Sequence, residues 1–184
     1  MAKKQYQPKS IYDSRYIEKS KLWIQVRKRN YLYWYKFLQI CLRENYKINK
    51  RKYIGWDLDT ILDTKFDVWW EKHWEKLFGY KCDPKTLKRI TEPKFSVSTD
   101  KNGHAKLKTQ SIRLSLLVHQ YRHVGKNFDI SEKIQLEETA KRYPTHFHFK
   151  QHGHYNRDYI SKQIGVLKGR FKKTIANVCN GTFP

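Results

Sequence analysis

The 184-residue sequence predicts a mainly α protein, a multi-helix fold with one small β-hairpin near residues 95–108. Three observations carry the helical class. Apolar side chains recur at helical spacing in several long segments. Gly55, Gly79, Gly125, Pro144 and Gly181 stand where those segments break or end. Strict alternation is confined to Phe95–Thr99 and to part of the stretch after Gln110. Aromatic residues make up 15% of the chain, so there is ample area to bury, and the composition lies above the range in which chains stay disordered. The length suits one domain, or one domain with a small appended module.

The elements follow in order. Residues 1–20, with Pro8 and scattered lysines, read as a basic arm. From Arg27 to Ile48, Tyr31, Tyr35, Leu38 and Leu42, supplemented by Leu32, Trp34 and Cys41, predict a long helix. A second helix runs from Lys65 to Phe78, with Phe66, Trp69, Trp70, His73, Trp74 and Leu77 on one broad face and Gly79 as its C-terminal cap. The three tryptophans of that face are read as core rather than as partner surface. The most linker-like stretch is Lys81 to Pro93.

Phe95–Thr99 alternates and Asp100-Lys101-Asn102-Gly103 is a turn signal, so residues 104–108 are expected to return as a second strand. Ile112–Val124 fits either period, and helix is favoured. Asp129 is expected to cap a helix running to Arg142, with Glu132 three residues on and Pro144 as terminator. The last helix is the clearest. Ile160, Ile164, Leu167, Phe171, Ile175 and Val178 line one face from Arg157 to Cys179, and Gly181 suits its end.

Charge narrows the function. The chain holds 39 Lys and Arg against 17 Asp and Glu, a formal +22. So large an imbalance repels itself unless a polyanion neutralises it, which points to nucleic acid ahead of an anionic membrane or an acidic protein. The excess is uneven: +12 over residues 1–55, −1 over 56–92 and +11 over 93–184. Three parts are expected, the arm 1–20, an N-terminal helical module 21–92 and a C-terminal basic helical module 93–184. No apolar run reaches the ~20 residues of a membrane span, and the N-terminus lacks the apolar stretch of a secretory signal, so a cytoplasmic protein without a membrane partner is expected. Cys41, Cys82 and Cys179 show no CxxC spacing and read as reduced thiols filling the core.

Four patterns bear on chemistry. Leu116–Ile134, two helices around Gly125, has the size of a helix-turn-helix, whose second helix would offer Lys126, Lys133 and Gln135 to a groove. Arg27-Lys28-Arg29 beside Tyr31, Tyr33, Trp34 and Tyr35 resembles a base-stacking cluster, but helical spacing assigns most of those rings to packing. His146, His148, His152 and His154, followed by Tyr155 and Tyr159, suggest a metal-dependent nicking site. The tyrosines follow too soon for a strand to fold back, so a His-rich basic loop near phosphate is preferred. His119-Gln120-Tyr121-Arg122 is an HxxR of the kind found in tyrosine recombinases, with Tyr159 as nucleophile, in a chain short for such a domain.

Gly55-Trp56, Phe66 with Trp69-Trp70, His73, Leu77-Phe78-Gly79 and the terminal Ala176–Pro184 resemble the recombination auxiliary proteins encoded with tyrosine recombinases on strand-biased circularizing integrative elements. The resemblance brings no set of functional residues with it. It implies a DNA-binding accessory factor, architectural or directional, that helps a tyrosine recombinase excise or integrate its element. The resulting expectation is a non-enzymatic protein on double-stranded DNA, with no cofactor and no metal. Its contacts are Arg27, Lys28, Arg29, Lys50, Arg51 and Lys52 in the first block, Lys126 and Lys133 in the helix-turn-helix, and Lys162, Lys168, Arg170, Lys172 and Lys173 on the last helix. The rival is a phage or satellite scaffold protein docking on an acidic capsid surface.

Overall fold

A computed structural model describes residues 23–24, 28–81, 90–97, 107–140, 150–151 and 154–184. The protein is mainly helical: α1 (Lys28–Arg43), α2 (Phe66–Leu77), α3 (Thr109–Gln120), α4 (Asn127–Ala140) and α5 (Arg157–Cys179). Among the described residues strand is confined to two antiparallel pairs of two residues each. β1 (Trp23–Ile24) pairs with β2 (Tyr80–Lys81), and β3 (Lys150–Gln151) pairs with β4 (His154–Tyr155). Among the described residues no helix is long and apolar enough to cross a membrane. The chain divides into two compact units, residues 1–105 with 178–184, and residues 106–177.

The first unit is built on aromatic rings. Trp34, Tyr35, Phe37 and Leu38 of α1 and Trp69, Trp70 and Leu77 of α2 are buried, as the helical spacing of both segments requires. Trp56 and Phe78 fill the space between, with Phe78 5.0 Å from Trp70 and almost parallel to it. Several of the polar edges of these rings find partners inside, whereas the Trp56 and Trp70 indole N–H groups are buried without one among the described residues. Trp69 donates its indole N–H to the Trp56 carbonyl at 2.8 Å, Trp34 donates to the Tyr53 hydroxyl at 2.9 Å, and Tyr35 donates to the Thr64 carbonyl at 2.6 Å. Buried aromatic residues with satisfied polar tips give both burial and a unique geometry. Burial pushes the Tyr35 phenol up to about 12.

Two glycines hold positive φ where the chain turns tightly. Gly55 (φ 94°) approaches Leu77, and Gly181 (φ 75°) ends α5 against Lys52, with which any side chain there would collide. Gly79 also follows a helix but lies outside the left-handed region, so its capping role is the simpler one of closing the last turn onto Trp74. The structure shortens α1 relative to the expected Arg27–Ile48. Asn45, with φ 57°, breaks the chain away after Arg43.

Phe95 and Val97 are buried and belong to this unit, and neither lies in a strand. Phe95 sets its ring edge-on to Trp34 and Trp56, and its N–H bonds the Leu77 carbonyl at 2.8 Å. The expected hairpin therefore begins in a segment committed to the aromatic core, and its turn, 100–103, lies outside the described residues with most of the returning strand. The tail returns as well. Tyr53 donates its hydroxyl to the Val178 carbonyl, and Phe183 stacks on Trp34 at 5.7 Å. The contact units thus run differently from the charge-based modules 21–92 and 93–184, because residues 93–97 and 178–184 pack with the first unit.

The second unit is a three-helix core. Leu114, Leu117 and Val118 of α3, Ile130 and Ile134 of α4, and Ile160, Ile164 and Leu167 of α5 pack together. The ambiguous segment after Gln110 is helical because its buried positions, 111, 112, 114, 115, 117 and 118, follow the helical period. Asp129 lies in the first turn of α4 rather than before it. Its carboxylate reaches back to accept the Lys126 N–H at 3.0 Å, the returning arm of a capping box. Asn156 caps α5 by accepting the N–H groups of Asp158 and Tyr159 at 2.9 and 3.1 Å. Arg113 of α3 forms a close ion pair with Glu138 of α4, a carboxylate wholly removed from solvent. The paired strands at 150–155 fall within the segment read from sequence as a loop.

Candidate nucleic-acid interface

Periodicity fixes what α5 shows to solvent. With Ile160, Ile164, Leu167 and Phe171 turned into the second unit, the positions between them must face outward. Two adjacent exposed rows result: Ser161, Gly165, Lys168 and Lys172, and beside it Lys162, Val166, Gly169 and Lys173. Within α5 the only acidic residue is Asp158, in the first turn. Among the described residues, Lys162, Lys172 and Lys173 have no ion-pair or hydrogen-bond partner. Lys168 donates only to the neutral Asn127 side chain, at 3.2 Å.

Asn127 also donates to Ser161 at 3.4 Å. It therefore holds the start of α4 against the Ser161–Lys168 row and brings the adjacent, exposed Lys126 to the same face. Arg170 is half-buried and flanks this surface, while Lys133 lies exposed on α4. Helices α3 and α4, joined by residues 121–126, pack against each other, and Gln135 donates to Ser131 within α4. Helix α5 carries six Lys and Arg against one Asp and is the stronger cationic surface.

Gly165 and Gly169 add a property that charge counting does not register. A Cβ at either position would meet nothing within 4 Å, so neither the fold nor the helix packing requires glycine there. Their absence of side chains leaves the helix backbone bare between four lysines.

The first unit treats its predicted contacts unevenly. Arg27 lies outside the described residues. Lys28 is committed to the fold, with its ammonium 2.8 Å from Asp67 and 3.3 Å from Glu71 of α2 and near the Phe66 ring. Desolvation lowers its pKa, but the two carboxylates outweigh it and the net shift is upward. Its expected role as a phosphate contact is thus replaced by one of tying α1 to α2. Arg29 is exposed on α1, and Lys50, Arg51 and Lys52 are exposed on the short 3-10 turn 50–53, anchored by buried Tyr53.

The residues considered for chemistry fall as follows. His119 stacks on Phe171 with ring centroids 4.0 Å apart, and its Nε2 faces Arg122 at 2.6 Å, so the HxxR pair sits side by side on the end of α3. His146, His148 and His152 lie outside the described residues. Among the described residues no three His, Cys, Asp or Glu side chains gather as a metal site. No family model, curated protein or solved structure matches this chain.

Proposed function

We propose that this protein binds double-stranded DNA, with the lysine face of α5 as its main phosphate contact, and serves as a non-catalytic accessory factor in site-specific recombination of a mobile element. The observation that carries the DNA reading is the row of exposed α5 lysines, Lys162, Lys168, Lys172 and Lys173, which lack acidic partners among the described residues. A fold that only needed solubility would neutralise or scatter such charges. Concentrated on one helix, they favour a polyanion with regularly spaced phosphates, whose bound counterions they displace. Lys126 extends the face. Arg170, Lys133 and, in the first unit, Arg29, Lys50, Arg51 and Lys52 are further contacts. The accessory role rests on the resemblance of the Trp-rich and terminal segments to recombination auxiliary proteins, and a tyrosine recombinase is the protein partner it implies.

The test is a titration of duplex DNA at several salt concentrations. About 6–10 phosphate contacts make affinity fall by roughly 10³–10⁵ between 50 and 200 mM salt. Replacing Lys162, Lys168, Lys172 and Lys173 together by Gln should make the log–log salt slope shallower by about 3–4, since each lost contact removes about 0.9. An unchanged slope would move the interface off α5, and no binding to any duplex would remove the DNA reading altogether. Preference for a duplex carrying the recombination end of the element over a random one, without cleavage in Mg²⁺, supports the accessory role.

A further inference from the structure

Two of the three cysteines, 138 positions apart in the chain, meet in the first unit. The Cys179 thiol points at Cys41 with the sulfurs 3.9 Å apart, at the end of α5 and on the buried side of α1. Both are free thiols in contact, and a disulfide needs a sulfur separation of ~2.05 Å, so closing the bond asks for just under 2 Å of relative sulfur movement. The surroundings already hold the two segments together. Asn49 donates its N–H to the Cys179 carbonyl at 2.8 Å, and Tyr53 donates to the neighbouring Val178 carbonyl. We propose that Cys41 and Cys179 are a disulfide-forming pair, closed by a low-molecular-weight disulfide oxidant, which clasps the end of α5 to α1.

The order of events follows from access. Cys41 is fully buried, whereas Cys179 is half-buried. Burial also holds the Cys41 thiol well above its usual range, and the adjacent Cys179 adds to the shift. The first attack is therefore made by Cys179. Its thiolate attacks one sulfur of the oxidant, forming a mixed disulfide and releasing one thiolate of the reagent. Cys41 then loses its proton to solvent and attacks the Cys179 sulfur, expelling the second reagent thiolate. Both leaving thiolates take up protons, so two protein thiols and one reagent disulfide become one protein disulfide and two reagent thiols. The two electrons pass to the reagent. The loop so closed contains every residue of the second unit, and closing so long a loop restricts the unfolded chain far more than the folded one.

The experiment treats the full-length native protein with oxidised glutathione, blocks residual thiols and maps linked peptides by mass spectrometry. The expected product is 2 Da lighter, links the peptide containing Cys41 to that containing Cys179, and melts several degrees higher until dithiothreitol reverses it. Cys82→Ser should close as the native chain does, and Cys179→Ser, checked for native helicity, should not. Linkage through Cys82, a glutathione adduct that persists on Cys179 without closure, unreacted thiols, or a lower melting temperature of the oxidised form would each overturn the proposal. The mapping is made on the unsubstituted protein, so it stands even where a variant folds poorly.

Discussion

His73 shows how a single side chain can couple this fold to pH. Its imidazole lies against Trp69 with centroids 5.0 Å apart, and its Nε2 stands 3.4 Å from an Asp57 carboxylate oxygen. Burial lowers its pKa, Asp57 raises it, Lys72 and Lys76 lower it further, and the net shift is downward. The unfolded chain therefore takes up the proton before the folded one does as acidity rises. The stability contributed by neutral His73 is fully present above the unfolded value of about 6.5 and is lost as pH falls through the lower folded value. Urea unfolding followed by tryptophan fluorescence should accordingly give a lower midpoint at pH 5 than at pH 7.5. His73→Gln should reduce that difference, and an unchanged difference would assign it to other groups. Lys28 teaches a related lesson. Its partners Asp67 and Glu71 are one turn apart on α2, so both reach the one ammonium, a pairing between helices that no local pattern in the sequence announces.

Among the elements, α5 joins the clearest sequence pattern to the most unusual surface. Exposed glycines in a helix interior cost roughly 1 kcal/mol each relative to alanine, and the space around Gly165 and Gly169 is open. The double substitution Gly165→Ala, Gly169→Ala should thus stabilise the protein by about 1–2 kcal/mol in denaturant unfolding. If α5 lies on the sugar-phosphate backbone as proposed, the same two methyl groups stand in the contact, and duplex affinity should fall although every lysine remains. Stability and affinity rising together would place the DNA elsewhere. The bounds of α5 were legible to the residue, because six apolar positions repeat without interruption and Gly181 marks the end. Those of α1 were legible only at the start. Residues 44–48 keep some apolar character, and what stops the helix is the left-handed backbone at Asn45, a conformation that the sequence permits without announcing. The α5 lysines were visible as candidates in the sequence. Which of them lack partners, and that Asn127 draws Lys126 to the same face, depended on contacts between α4 and α5 that no local pattern encodes.

For the molecule as a whole, the first unit takes its core from chain segments far apart. Trp34 lies between Trp56, Phe95 and Phe183, three residues that share no periodic segment with it. This is why the aromatic richness of the sequence was readable as core while its pairing was not. Phe183 is 1% exposed although it stands beyond the last helix. Phe183→Ala should destabilise the first unit by about 3–5 kcal/mol, the range for emptying a buried aromatic site, with a matching loss of urea midpoint. A change below 1 kcal/mol would mean that the tail rests on the core without completing it.

The return of residues 178–184 to the first unit also sets the timetable of synthesis. A ribosome delivers residues 106–177 before the segment that fills the space beside Trp34, so the unit begun first is finished last. During that interval the nascent chain carries an aromatic surface awaiting its final strip, while every residue of the three-helix core has already been joined. Closure then requires contacts across more than a hundred residues, such as Tyr53 with Val178, the kind of non-local pairing that folds slowly. Translation pausing near the end of α5 would lengthen the exposure of that surface, and the demand for chaperone protection would peak there.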